Sequence, residues 1–96
     1  MKKCYIAGPI SGLDYQQAYD AFREAELKLS AAGHDPVNPM RLPHNHDKEW
    51  SSYMREDLTE LLKCESIYLL SGWYDSKGAR LEFYVATCLG LKLIHL

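Results

Sequence analysis

Apolar residues along the chain switch between two periods. "KCYIA" (3–7), "SIYLL" (66–70) and "LKLIHL" (91–96) are short, nearly continuous apolar runs bounded by turn residues. Strands buried in a parallel sheet read this way. Between them the apolar spacing lengthens to three and four. Ala18, Phe22, Ala25, Leu29 and Ala32 follow Asp14, which has Gln17 three residues on, and they precede Gly33. That is a capping box, a helical stripe and a stop signal. Trp50, Met54, Leu58 and Leu61 form a second stripe, with Asp47 placed to cap it. A third helix is predicted from about Gly78 to Leu89, ending at Gly90. "HDPVNP" (34–39) supports only a short edge strand, because Pro36 cannot donate to a central ladder. "MRLPHNHD" reads as a loop.

Strand and helix alternate over the whole length, which predicts a parallel sheet covered by helices. The expected fold is α/β: a small Rossmann- or flavodoxin-like three-layer sandwich, one domain over residues 1–96. Right-handed crossovers lead to a four-stranded sheet in the order 2-1-3-4. The winding then reverses between the first and third strands, and ligands of open α/β sheets bind at the carboxyl ends of such a pair. Those ends carry the two glycine-rich turns, "GPISG" and "SGWYDSKGA".

Composition narrows the functions available. With 47% hydrophobic and 25% charged residues the chain is ordinary globular material. A net charge of −2 provides no basic field for a nucleic-acid polymer or an anionic membrane. A single nucleotide held by backbone N–H groups is not excluded. Cys4, Cys64 and Cys88 form no CxxC pair and lie in or beside apolar segments. They read as small buried hydrophobes in a reducing, cytoplasmic setting. "MKKCYIAG" lacks the apolar core of a signal peptide, and no apolar run approaches spanning length. His44 and His46 have no partner at a metal-ligand spacing, so a polar loop is expected there, with no metal and no cofactor.

Several residues carry candidate chemistry. Glu82 lies among Leu81, Phe83, Tyr84, Val85 and Ala86, where a charge is costly unless paired. Its neighbours four residues away on either side are Gly78 and Ala86, which predicts open space beside the carboxylate. The competing reading is an exposed glutamate paired with Arg80 or Lys77. Asp57 sits at the edge of the second stripe and is either a solvated edge acid or a site acid. Ser76 is placed as an N-cap, and the helix start behind it would favour an anion. It equally serves as a plain cap. Tyr5 shares a strand face with Ala7, and its hydroxyl needs a partner if buried. Trp73 and Tyr74 stack on a base or sugar, or seal an interface.

Three segments together resemble the nucleoside 2-deoxyribosyltransferase superfamily: "YIAGPISG", "REDLTELLKCESIYLL" and "GWYDSKGARLEFYVATCLGLKLI". The most specific part is the S-x-G-x-x-x-E spacing from Ser76 through Gly78 to Glu82. The chain looks most like a small bacterial and phage branch with no assigned function, related to the deoxynucleoside 5′-monophosphate N-glycosidases. The resemblance implies that Glu82 is a nucleophile toward C1′ of a deoxyribosyl group, that Tyr5 orients it, and that Asp57 contacts the ligand or handles the base proton. It places Gly8, Pro9 and Ile10 in the first ligand loop. Ser76, Gly78 and Ala79 fall in the second, where the monophosphate hydrolases hold a 5′-phosphate, with Trp73 beside it. A small-molecule nucleoside or nucleotide is the implied partner, in a homodimer or higher homo-oligomer. The chain departs from the usual transferase in having one strand fewer and in Glu65, where an Asp usually precedes the third strand. The competing reading is a nucleotide-binding or sensing module without turnover.

Overall fold

Four strands form a single parallel sheet: β1 (Lys3–Ala7), β2 (Asp35–Val37), β3 (Ser66–Leu69) and β4 (Lys92–Ile94), in the order β2-β1-β3-β4. Three helices connect them: α1 (Tyr15–Ala31), α2 (Trp50–Leu61) and α3 (Lys77–Leu89). The structure, a computed structural model, describes residues 2–44 and 49–96. The expected architecture and strand order are both found. Pro36 does lie in an edge strand, opposite Cys4 on its one hydrogen-bonded neighbour.

The period of two along β1 separates two cores. Tyr5 and Ala7 point to one face and join Leu61, Ile67, Ala79 and Ala86 beneath α2 and α3. Cys4 and Ile6 point to the other and join Phe22, Ala25 and Leu29 of α1. All four of these β1 residues are fully buried, as a central strand covered on both sides requires. With the sheet between one helix and two, the fold has three layers.

The ends of the helices follow local chemistry. The Asp14 carboxylate accepts from the Gln17 N–H at 3.2 Å, and Gly33 beyond the last turn takes a φ of +91°. α3 starts one residue earlier than expected, at Lys77, and ends at Gly90 with a φ of +75°. The residue at the N-cap of α2 is Glu49, which makes no side-chain capping bond. The proposed cap Asp47, and His46 of the "HNH" stretch, lie outside the described residues. β3 and β4 are shorter than the apolar runs that predicted them. Leu70 leaves the ladder after donating to the Ala7 carbonyl at 2.8 Å.

One cysteine departs from expectation. Cys4 and Cys64 are buried, but Cys88 is exposed. The buried face of α3 carries Ala79, Glu82 and Ala86, and Cys88, two residues on, is rotated roughly 200° away. Among the described residues no helix is long and apolar enough to cross a membrane.

Candidate functional site

The carboxyl ends of β1 and β3 part at Gly8 and Leu70. A Cβ built on Gly8 would lie 2.7 Å from the Leu70 Cβ, so the two chains approach as closely as only glycine allows. Beyond this point the first loop rises past Ile10 and Ser11. The second loop turns through Gly72, at a φ of +84°, into a 3-10 turn over Trp73–Asp75. Ser76 then caps α3, its Oγ accepting from the Ala79 N–H at 3.2 Å.

This start sets the phase of α3. Ala79, Glu82 and Ala86 face inward, at the i, i+3, i+7 positions of one helix face. Glu82 is therefore buried, only 5% exposed, and the exposed ion pair with Arg80 or Lys77 does not form. Arg80 instead donates to the Tyr74 carbonyl at 2.9 Å. Gly78, four residues before Glu82, lines one cavity with it, and Ala86, four residues after, is buried. Gly78 stands beside the buried stripe, where a Cβ would meet the Met54 Sδ at 3.2 Å. Smallness at Gly78 thus serves the approach of α2.

Tyr5 comes from the middle of β1 and is completely buried. Its hydroxyl donates to Glu82 Oε2 at 2.5 Å, the short distance typical of a phenol on a carboxylate oxygen. Asp57 of α2 is only 7% exposed, so it is not a solvated edge residue. The start of α2 turns that edge of the stripe toward the sheet. Asp57 Oδ1 lies 2.9 Å from His44 Nε2, and the His44 ring packs against Tyr53 with centroids 5.0 Å apart.

Burial dominates the electrostatics. It pushes the Glu82 carboxyl up to about 8, and the nearby Asp57 charge pushes the same way, while the hydrogen bond from Tyr5 opposes both. Burial also raises the Tyr5 phenol well above its usual range, reinforced by the charge of Glu82.

These groups meet at a cavity of about 730 Å³, within the range of small-molecule sites. Of the residues predicted for the site, Gly8, Ile10, Asp57, Ser76, Gly78, Ala79 and Glu82 line it. Tyr5 lies behind Glu82 and reaches the cavity through it. Pro9 and Trp73 do not line it. Pro9 borders a separate hollow of about 280 Å³. Trp73 packs on Phe83 at 4.9 Å between centroids and edge-on to Tyr74 at 6.1 Å.

The wall also contains residues that sequence reasoning passed over: His44, Trp50, Tyr53, Met54 and Lys77. Trp50 and Lys77 are the first residues of α2 and α3, and the Lys77 ammonium lies 4.2 Å from the centre of the Trp50 ring. The aromatic spacing of α2 was the signal available for Trp50. For His44 the sequence holds none, since its partner Asp57 is 13 residues away.

An inward glutamate, a phenol bonded to it and a second buried acid, at the switch point of a four-stranded parallel sheet, sit in a fold shared with 2-deoxyribosyltransferases. The enzyme of that name from Bacillus psychrosaccharolyticus superposes with a TM-score of 0.71 at 21% identity, covering 95% of this chain and 69% of that one. The 2-desoxiribosyltransferase from Leishmania mexicana superposes with a TM-score of 0.69 at 20% identity, covering 98% of this chain and 63% of that one. The chain thus spans about two-thirds of the length of these structures. At the level of fold, the resemblance read from the sequence is borne out. By sequence, residues 2–95 match the domain of unknown function DUF4406, and the chain belongs to that family. No curated protein matches it.

Proposed function

We propose that this protein cleaves the N-glycosidic bond of a deoxynucleoside or deoxynucleoside 5′-monophosphate, with Glu82 as nucleophile. The observation that carries this reading is the buried Glu82 carboxylate, held by Tyr5 at the wall of a nucleotide-sized cavity. A Glu82 oxygen bonds to C1′ as the bond from C1′ to the base breaks, and the electron pair leaves on the base nitrogen. That nitrogen takes a proton delivered on the Asp57 side. Water, or a second base, then attacks C1′ and releases Glu82 from the glycosyl ester. The transition state carries positive charge on the sugar, and a carboxylate fixed in a desolvated wall stabilises it. The cost of burying Glu82 is then offset where charge develops and not in the resting protein.

Incubation with the common deoxynucleosides and their monophosphates, followed by chromatography, tests the proposal. Free base should appear with the wild-type chain and not with Glu82→Ala of intact fold. Equal turnover by that variant would remove Glu82 from the role.

One observation favours a second reading. Burial pushes the Glu82 carboxyl up to about 8, which favours its protonated form, and a protonated acid binds but does not attack. A nucleotide-binding module would show a thermal shift with a nucleotide that stays chemically unaltered after long incubation. In either reading we expect a homo-oligomer, because Tyr74 and Tyr84 are 61% and 67% exposed. Light scattering on the purified chain tests it.

A further inference from the structure

Glu26 lies on α1 one turn after Phe22 and next to Ala25, at the margin of the stripe that packs on the sheet. An acid is costly there unless its oxygens are partnered. Its side chain is 14% exposed, and both oxygens are engaged. Oε2 accepts from Arg41 Nη1 at 2.7 Å, while Oε1 accepts from Asn38 Nδ2 at 3.3 Å and from Arg23 Nη1 at 3.1 Å. Burial pushes the carboxyl up, but the hydrogen bonds from Arg23 and Asn38 and the charges of Arg41 and Arg23 outweigh it and leave the group below its ordinary value. Arg23 stands on the same helix, so its bond ties Glu26 to nothing beyond α1. Asn38 and Arg41 are 12 and 15 residues away, at the two ends of the 3-10 turn Pro39–Arg41.

That turn leaves the sheet behind. The ladder between β1 and β2 ends with Val37 opposite Tyr5. Beyond it the Arg41 N–H donates to the Asn38 carbonyl at 3.0 Å and the Leu42 N–H to the Pro39 carbonyl at 3.3 Å, bonds that close the turn on itself. Pro39 has no N–H to offer. Asn38, only 5% exposed, uses both ends of its amide: Oδ1 accepts from the Met40 N–H at 3.0 Å, and Nδ2 reaches Glu26. The Arg41 bond is short and charge-assisted, but Arg41 is half exposed and water weakens the pair. The Asn38 bond is longer and shielded. Met40 also packs on the core that contains Phe22.

The turn is at the same time a wall of the site. Pro39, Met40 and Leu42 line the cavity that Glu82 lines, and so does Phe22, one turn before Glu26. We propose that Glu26 is a positioning residue of this site: through Asn38 and Arg41 it pins the Pro39–Arg41 turn to α1, and so sets how closely the wall of Pro39, Met40 and Leu42 meets a ligand. Glu26 acts from behind that wall. The inference rests on the nucleotide reading above only for the identity of the ligand.

The test follows the methionine methyl groups by carbon NMR of the labelled chain, with Met40→Leu and Met54→Leu assigning the signals. Met40 reports on the wall, and Met54, in the same cavity but on α2, is the internal reference. Both signals come from the folded state, so a change in overall stability alone moves neither. In Glu26→Ala the Met40 methyl should shift and gain mobility, read as a fall in its order parameter, while Met54 stays as in wild type. Glu26→Gln, which keeps an oxygen for Asn38, and Arg41→Ala, which keeps the Asn38 bond, should move Met40 in the same direction by less. Calorimetry with each of the four common deoxynucleoside 5′-monophosphates should show affinity about tenfold weaker in Glu26→Ala, the loss that one hydrogen bond to a charged group accounts for. If turnover is found, the change should fall in KM. A Met40 signal unchanged in folded Glu26→Ala overturns the proposal, because packing then holds the wall unaided. Equal changes at Met40 and Met54 overturn it as well, since Glu26 would then act on the whole fold, and so does nucleotide affinity equal to wild type. Should Glu26→Ala fail to fold, Arg41→Ala and Glu26→Gln decide by the same readouts. A wild-type chain that binds none of the nucleotides, with the Met40 effect intact, would reject the nucleotide reading and leave the pinned wall standing.

Discussion

Tyr5 and Glu82 are 77 positions apart in the chain and 2.5 Å apart in the fold, phenol oxygen to carboxylate oxygen. β1 and α3 are built separately, one by a period of two and the other by a cap at Ser76. Their phases agree so that each buries a polar atom that the other satisfies. Removing the Tyr5 hydroxyl leaves Glu82 buried with one partner fewer. Tyr5→Phe should lower stability by about 1–3 kcal/mol, the cost of stranding a buried polar group. It should also move the titration of Glu82 further upward, since the lost hydrogen bond favours the charged form. Denaturant unfolding and a pH–activity profile check the two effects.

Glu82 should make stability depend on pH in an uncommon direction for an acid. Its carboxyl titrates at about 8 in the fold against an ordinary 4.5, so the folded state holds a proton that the unfolded chain releases between those values. The contribution is complete below pH 4.5 and is lost as pH rises toward 8. Glu82→Gln keeps the shape and the acceptor but carries no charge. Its melting temperature relative to wild type should be similar at pH 4.5 and higher at pH 9, by about 2–4 kcal/mol in stability. Thermal melts at the two pH values decide it.

Gly8→Ala places a Cβ 2.7 Å from the Leu70 Cβ, at the point where the strands part. Either the strand ends separate or the first loop shifts, at a cost of about 1–3 kcal/mol. Urea unfolding measures the loss. Ligand affinity should fall with it, because Gly8 lines the cavity.

Ser76→Ala removes the acceptor for the Ala79 N–H at the start of α3. The expected loss is about 1 kcal/mol, read from urea unfolding. Glu82 lies on the second turn from that cap, so any turnover should fall as the helix start frays.

The thiols should react in two classes. Cys88 is exposed, while burial raises Cys4 and pushes Cys64 up to about 12. A thiol reagent at pH 8 should therefore modify Cys88 promptly in the folded protein. Cys4 and Cys64 should follow only on denaturation, and mass spectrometry of the labelled peptides distinguishes them.

Local patterning determined much of this protein. The apolar runs specified the strands, Asp14 and Gly33 bounded α1, and the alternation of elements left one reasonable sheet order. The stretch from Ser76 to Glu82 was legible because a cap and a helix phase are both local. The pairing of Tyr5 with Glu82 came from resemblance, since no local rule joins a strand residue to a helix 77 positions away. His44 shows the limit more sharply. Nothing around "PHNH" distinguishes a loop histidine from one whose ring meets an aspartate on another element. Likewise the exposure of Cys88 and the withdrawal of Trp73 onto Phe83 depend on which way α3 turns against the sheet. Periodicity reports which face of an element is apolar and therefore buried. Only the packed structure decides which polar atoms are buried with it, because desolvation and charge pairing act through space, between groups the chain order does not bring together.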